Sequence, residues 1–244
     1  MTLLQVQGVS KSFRGLKAVD DVSFAVEEGS IQGIIGANGA GKTTLFNVVA
    51  GAITPDAGTV HLDGRDITGS APHRVAHAGM SRTFQLMKPF ASMSVLENVA
   101  VSAMASGTSR RDADGSAAAV IERVGLGRWR DALSSSLPTA GLKRLELARA
   151  LAGRPRVLLL DEVLAGLVPA ERTPVMELLE ALRHQDGVTL VYVEHIMAAV
   201  MRLSDSVLVL DQGRVLTSGT PEEVTRDPRV IEAYLGEEPT GAAS

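Results

Sequence analysis

The feature that most restricts this chain is the run Gly36-Ala37-Asn38-Gly39-Ala40-Gly41-Lys42-Thr43. It follows Ile31 to Ile35, apolar apart from Gln32 and Gly33, which reads as a buried strand; Leu45 to Ala50 after it reads as a helix. Glycines at this density let the backbone curl, so that successive N–H groups turn inward. Together with the helix N-terminus they make a nest for phosphate oxygens. Lys42 brings a positive charge to the β- and γ-phosphates of a nucleotide, and the Thr43 hydroxyl is a hard oxygen suited to Mg²⁺. Thr44 adds a hydroxyl on the α-phosphate side. Gly36, Ala37, Asn38, Gly39, Ala40, Gly41, Lys42, Thr43 and Thr44 are therefore the candidate nucleotide-binding residues. An ordinary glycine-rich turn is the competing reading, and the flanking strand and helix weigh against it.

A second apolar strand ends in acids, Leu158-Leu159-Leu160-Asp161-Glu162. Ligands of parallel sheets bind at the carboxyl ends of the strands. Asp161 there suits a Mg²⁺ ion, and Glu162 can polarise the water that attacks a γ-phosphorus. Alone, the pair reads equally well as two solvated acids; beside a complete phosphate loop the catalytic reading leads. Of five histidines, only His195 directly follows an apolar strand, in Val191-Tyr192-Val193-Glu194-His195. It is a candidate for bonding the γ-phosphate and the attacking water, with an ordinary surface or core histidine as the alternative. Phe13, one of few aromatics, precedes the loop and suits stacking on adenine; core packing explains it equally well. Gln85, in Ser81-Arg82-Thr83-Phe84-Gln85, sits where β-rich sequence gives way to helical sequence. It could reach Mg²⁺ or the water, but on its own residues a structural role is favoured.

Strands alternating with helices imply an α/β fold with a mostly parallel sheet, and antiparallel strands near the N-terminus. Leu3–Val9 and Val22–Val26 read as strands, and Asp63-Gly64 and Asp211-Gln212-Gly213 as hairpin turns. Residues 88–151 turn helical, with helices expected over Val95–Met104 and Ser116–Val124 and an exposed loop over Ser106–Gly115. Leu142–Leu151 reads as a helix with Leu145, Ala148 and Leu151 on one face; Lys143, Arg144 and Arg149 are left to solvent or phosphate. Val175–Leu182 reads as a helix with Pro174 in its first turn. Residues 1–237 are expected to form one domain, and 238–244 a frayed tail.

Composition narrows the class. A net charge of −4 argues against a nucleic-acid-coating protein. With no cysteine, disulfides and thiolate metal sites are excluded. No apolar run reaches the roughly 18 residues of a spanning helix, and the first residues lack the layout of a secretory leader.

The order of these motifs resembles that of ABC transporter nucleotide-binding subunits. Phe13 falls at the adenine-stacking aromatic, Gly36–Thr44 at Walker A and Gln85 at the Q-loop. Leu137–Gly141 falls at the signature, Leu158–Asp161 at Walker B, Glu162 at the catalytic base, Ala165–Val168 at the D-loop and His195 at the switch histidine. The strings Arg82-Thr83-Phe84-Gln85 and Val230-Ile231-Glu232-Ala233-Tyr234-Leu235-Gly236 are similar to those of branched-chain amino acid importers and their relatives, including urea importers. The resemblance implies a P-loop ATPase of ABC type: a mixed, largely parallel sheet core, an N-terminal antiparallel β subdomain and an inserted helical subdomain. It implies ATP and Mg²⁺, held by Thr43, Gln85 and Asp161, with Glu162, His195 and Gln85 as catalytic residues. It further implies a second ABC ATPase subunit, identical or different, membrane permease subunits and, indirectly, a solute-binding protein, at the cytoplasmic face of the membrane, with no nucleic-acid partner. Residues just after Gln85 (Met87, Lys88, Pro89, Phe90, Met93) are candidates for the groove that grips a permease loop, with packing inside the helical subdomain as the equal alternative. The chain departs from the family pattern at Pro138, where the signature carries a serine, and at Val168, where the D-loop carries Asp or Asn. These departures keep open a weakly hydrolysing nucleotide-binding regulator; a soluble ABC ATPase without a transport role is a separate alternative, against which the single Walker A and the absence of heptads weigh.

Overall fold

The computed structural model describes residues 1–83 and 88–235. Its first strand, β1 (Thr2–Phe13), turns through Arg14-Gly15 into β2 (Leu16–Glu27). Both run longer than their hydrophobic alternation foretells. Cross-strand pairing carries the hairpin through polar residues to Phe13 opposite Leu16, where both side chains are exposed. β3 (Ile31–Gly36) is buried throughout, and α1 (Lys42–Val49) follows with Leu45, Phe46, Val48 and Val49 inward. β4 (Ala57–Leu62) and β5 (Arg65–Asp66) form the hairpin around Asp63-Gly64, both at positive φ. The antiparallel sheet has the order β2-β1-β4-β5, with Leu4 opposite Leu62 and Val6 opposite Val60 at its apolar face.

Next come α2 (Pro72–His77), β6 (Met80–Arg82), α3 (Val95–Ala105), α4 (Arg110–Arg123) and α5 (Thr139–Leu151), with short 3-10 turns between α4 and α5. β7 (Val157–Asp161) pairs in parallel with β6, Arg82 beside Leu159. The long α6 (Pro169–Asp186) leads to β8 (Thr189–Val193). After α7 (Met197–Leu203), β9 (Ser206–Asp211) lies parallel to β3, with Ile34 opposite Leu208, and β10 (Arg214–Gly219) returns antiparallel to it. α8 (Pro221–Arg226) and α9 (Pro228–Leu235) complete the described chain. The fold is thus an antiparallel sheet plus a mixed sheet with helices.

The chain separates into two compact units. One comprises Met1–Gly69 with the residues from Val191 onward; the other is Ser70–Leu190. In the first, the Tyr192 ring packs against Gly33 and its hydroxyl shares a 2.5 Å hydrogen bond with Ser204, while burial pushes the phenol well above its ordinary pKa. In the second, Leu158, Leu159 and Leu160 of β7 are wholly buried, and the described elements between residues 88 and 151 are helical. No helix among the described residues is long and apolar enough to cross a membrane.

Three local expectations are corrected. Residues 110–115 are not loop but the first turns of α4. Ser109 Oγ accepts from the Asp112 N–H, and Ala113, Ala117 and Ile121 fill one buried face; small alanines gave the pattern little hydrophobic contrast. α6 begins at Pro169, which takes the first-turn role assigned to Pro174; Pro174 stands inside the helix. Lys143 and Arg149 are not left to solvent: each is bonded within its own unit, as described below. A further helix, α8, is capped reciprocally by Thr220 and Glu223 around Pro221, a capping box written in the sequence.

The β9–β10 hairpin is bound to β2 through Asp20. Its carboxylate accepts from Arg214 Nε at 2.8 Å and Nη2 at 2.6 Å and from Lys17 Nζ at 2.8 Å. Hydrogen bonding from Lys17, then from Arg214, holds its pKa below the usual carboxylate value. A depressed folded-state pKa contributes stability above the unfolded value of about 3.9, lost as pH falls through the folded value. Asp20→Asn is therefore expected to lower the denaturant midpoint at pH 7. The difference from the parent protein should shrink as the pH is taken from about 5 to below 3, in urea titrations followed by circular dichroism.

Candidate functional site

The first unit carries Phe13, the glycine loop and His195. β3 delivers the chain to Gly36, and a Cβ there would sit 2.3 Å from the Leu210 carbonyl oxygen of β9. At Gly41, the N-cap of α1, φ is 100°, and a Cβ would sit 2.3 Å from the Ala18 carbonyl oxygen. Only glycine fits either place, so the loop closes against β9 and β2 without side chains intervening. A short backbone relay braces it: Asp20 N donates to Gly213 O at 2.8 Å, and Gly213 N to Ala40 O at 3.1 Å. The Lys42 ammonium donates to the Gly36 and Ala37 carbonyls at 2.6 and 2.8 Å, which directs a buried charge along the loop. Thr43 is exposed and Thr44 half-buried at the head of α1. Phe13 is 44 % exposed at the tip of the first hairpin, with Lys11 Nζ 5.8 Å from its ring centroid. An aromatic held open in this way offers a face for stacking. His195 is exposed just beyond the buried Tyr192–Glu194 and ahead of α7.

The second unit carries Asp161 and Glu162. Asp161 closes β7 and is buried, its Oδ2 accepting from Arg82 Nη2 at 2.8 Å. Thr83 clasps the same strand end: its N–H donates to Leu159 O at 2.9 Å, and its hydroxyl accepts from Asp161 N at 3.1 Å. Glu162 follows at φ 50°, in the left-handed region, and its carbonyl accepts from Lys143 Nζ at 2.8 Å. The turn then runs to Val168, the exposed N-cap of α6, whose N–H donates to Glu171 Oε2 at 3.1 Å. Pro138 is the N-cap of α5, with φ −66° and its carbonyl accepting from Leu142 N at 2.9 Å. First-turn N–H groups have no intrahelical acceptor, so a proline there costs the helix no bond. Gly141 packs on Leu137 and Pro138. Gln85 and Met87 lie outside the described residues.

Phe90 stands in the same unit, 46 % exposed on a rigid base. Asn98 Oδ1 accepts from its N–H at 2.8 Å, and Asn98 Nδ2 and Ser134 Oγ donate to its carbonyl at 3.1 and 2.9 Å. The Arg149 guanidinium lies 5.3 Å from its ring and is anchored by Glu146 at 3.0 Å and the Lys88 carbonyl at 3.2 Å. Leu133, 53 % exposed, bridges to Ser94 nearby.

The partnerships of Arg82, Thr83, Lys143 and Asp20 were not legible from sequence spacing. The one available signal is the string Arg82-Thr83 itself, which carries a family similarity but does not reveal a contact to Asp161.

The ABC transporter family model matches residues 19–165, and that of the branched-chain amino acid ATP-binding cassette transporter matches residues 214–240. The chain is 39 % identical over 250 residues to the high-affinity branched-chain amino acid transport ATP-binding protein BraF of Pseudomonas aeruginosa, covering 96 % of this chain and 98 % of that protein. It is 38 % identical to LivG of Escherichia coli, a protein of the same description, with the same coverage. Among solved structures it is similar to a nucleotide-free ATP-binding cassette from an ABC transporter, with a TM-score of 0.89 and 30 % identity over 97 % of this chain and 100 % of that one. The ADP conformation of an ATP-binding cassette of an ABC transporter is similar with a TM-score of 0.88 and 31 % identity, over the same shares. A phosphate loop closed by two obligatory glycines, on a chain that aligns with such cassettes over nearly its full length, places this protein in the ABC transporter family, as an ATP-binding cassette whose ATP hydrolysis powers transport.

Proposed function

We propose that this chain is the ATP-hydrolysing subunit of an importer for branched-chain amino acids or a related small polar solute. The observation that carries the ATPase reading is the closure of the loop at Gly36 and Gly41 with Lys42 buried along it. The solute class is supported by the match over residues 214–240 and by near-full-length similarity to transport proteins of that description. That similarity also favours transport over a soluble ABC ATPase or a weakly hydrolysing regulator.

In this reading residues 1–237 form one cassette and 88–151 its helical arm. Phe13 stacks on adenine. The backbone of Gly36–Gly41 and Lys42 bind the β- and γ-phosphates, and Thr44 the α-phosphate side. Thr43, Asp161 and Gln85 would hold Mg²⁺, since hydroxyl, carboxylate and amide oxygens are the hard donors this ion takes. It would supply positive charge to offset that of the phosphates. Glu162 orients and polarises water, whose oxygen bonds to the γ-phosphorus as the bond to the β–γ bridging oxygen breaks, leaving ADP and phosphate. His195 bonds the γ-phosphate and the water.

The chain pairs with a second cassette, identical or different, and sits peripherally on the cytoplasmic face of permease subunits that receive solute from a binding protein. Phe90, firmly based and half-exposed beside Leu133, serves as an apolar anchor for a permease loop.

Glu162→Gln is expected to keep ATP binding and lower turnover about a hundredfold or more, the scale of losing a general base. Equilibrium binding of a fluorescent ATP analogue and steady-state phosphate release measure the two. Phe90→Asp should leave ATP binding near normal and cut ATP-driven transport about tenfold, equivalent to one interface anchor of roughly 1–2 kcal/mol. Reconstituted vesicles measure both; lost ATP binding would instead assign Phe90 to the core.

A further inference from the structure

Lys143 lies in the second turn of α5, the helix that begins directly after Pro138. Its side chain leaves that helix to meet the backbone of a distant turn, donating from Nζ to the Glu162 carbonyl at 2.8 Å. The same oxygen accepts from Ala165 N at 3.2 Å, so one carbonyl gathers an ammonium from α5 and an amide from its own turn. Glu162 is held at φ 50°. An L-residue with a long side chain in that region costs about 1 kcal/mol or more, and surrounding contacts must offset it. A charge-assisted hydrogen bond from a half-buried lysine is such a contact.

We propose that Lys143 is a positioning residue for hydrolysis. By fixing the Glu162 carbonyl it sets the left-handed turn, and with it the direction in which the Glu162 side chain leaves the end of β7. It also ties that direction to the placement of α5, so a shift of this helix, whose N-cap is Pro138 and whose first turn holds Gly141, is felt at the carboxylate. The inference rests on the reading of Glu162 as the group that polarises water. Lys143 belongs to no part of the phosphate loop, so its loss should act on turnover and not on nucleotide affinity. A carboxylate displaced by about 1 Å costs up to a hundredfold in rate.

The test is steady-state ATP hydrolysis by the full chain, co-purified with its membrane companions, for Lys143→Met, Lys143→Arg and Glu162→Gln. Lys143→Met, which keeps the aliphatic length, should lower kcat roughly ten- to hundredfold, with the KM for ATP and the melting midpoint near parental values. Lys143→Arg should restore most of the loss, because a guanidinium reaches the same carbonyl. If Lys143→Met does not fold, Lys143→Gln takes its place in the comparison. A parental kcat in Lys143→Met overturns the proposal. So does a parallel change of kcat, KM and melting midpoint that arginine does not repair, which marks lysine as structural only. The control separates the two readings: a Glu162→Gln variant that has lost turnover beside a normal Lys143→Met removes only the role of Lys143, whereas a fully active Glu162→Gln removes the role of Glu162 and that of Lys143 with it.

Discussion

Close backbone approach at two glycines is the constraint from which the rest follows. The loop between β3 and α1 is pressed so tightly against the Leu210 and Ala18 carbonyls that a single carbon at Gly36 or Gly41 would overlap them. A neutral backbone grips a polyanion only where several N–H groups are aimed at one volume, and aiming them requires a conformation that side chains would block. The apolar strands β3 and β9 make the frame stiff. The brace from Asp20 through Gly213 to Ala40 adds a second hold on the loop's far side. Lys42 then supplies the charge where the backbone has already fixed the position.

The second unit meets a different demand, that of holding carboxylates at the end of a buried strand. Burying a charge is costly unless it is paired. Asp161 meets this with Arg82 and with the Thr83 clasp on its strand. Glu162 is placed one residue further on by an unfavourable backbone angle, stabilised in part by Lys143. These three supports come from elements that flank β7 and not from the strand itself. Arg82 fixes the Asp161 carboxylate itself, whereas Thr83 and Lys143 hold the backbone on which Asp161 and Glu162 stand.

The phosphate loop and the acidic strand end were readable because each is written in consecutive residues whose chemistry and local conformation coincide. The Asp63-Gly64 and Asp211-Gln212-Gly213 hairpins were readable for the same reason, and both adopt positive φ as such turns require. The start of α4 was not, because Ala113 and Ala117 bury little area and their periodicity is faint beside the charges around them. Pro174 misled because a proline usually marks a helix start, and only the structure shows Pro169 in that role. The lysine and arginine on α5 looked solvated because a helical wheel shows which face a residue takes and not what arrives opposite it.

The sequence by itself determined that this chain grips a polyphosphate and ends a buried strand in two carboxylates, since residue type and neighbours a few positions away settle both. The tertiary structure alone decided that Arg214 meets Asp20, that Arg82 meets Asp161, and that Lys143 meets the carbonyl of a left-handed Glu162. Those pairings join residues far apart along the chain, where no local propensity acts. Packing of whole elements brings the groups within hydrogen-bonding distance, and their positions follow from that packing.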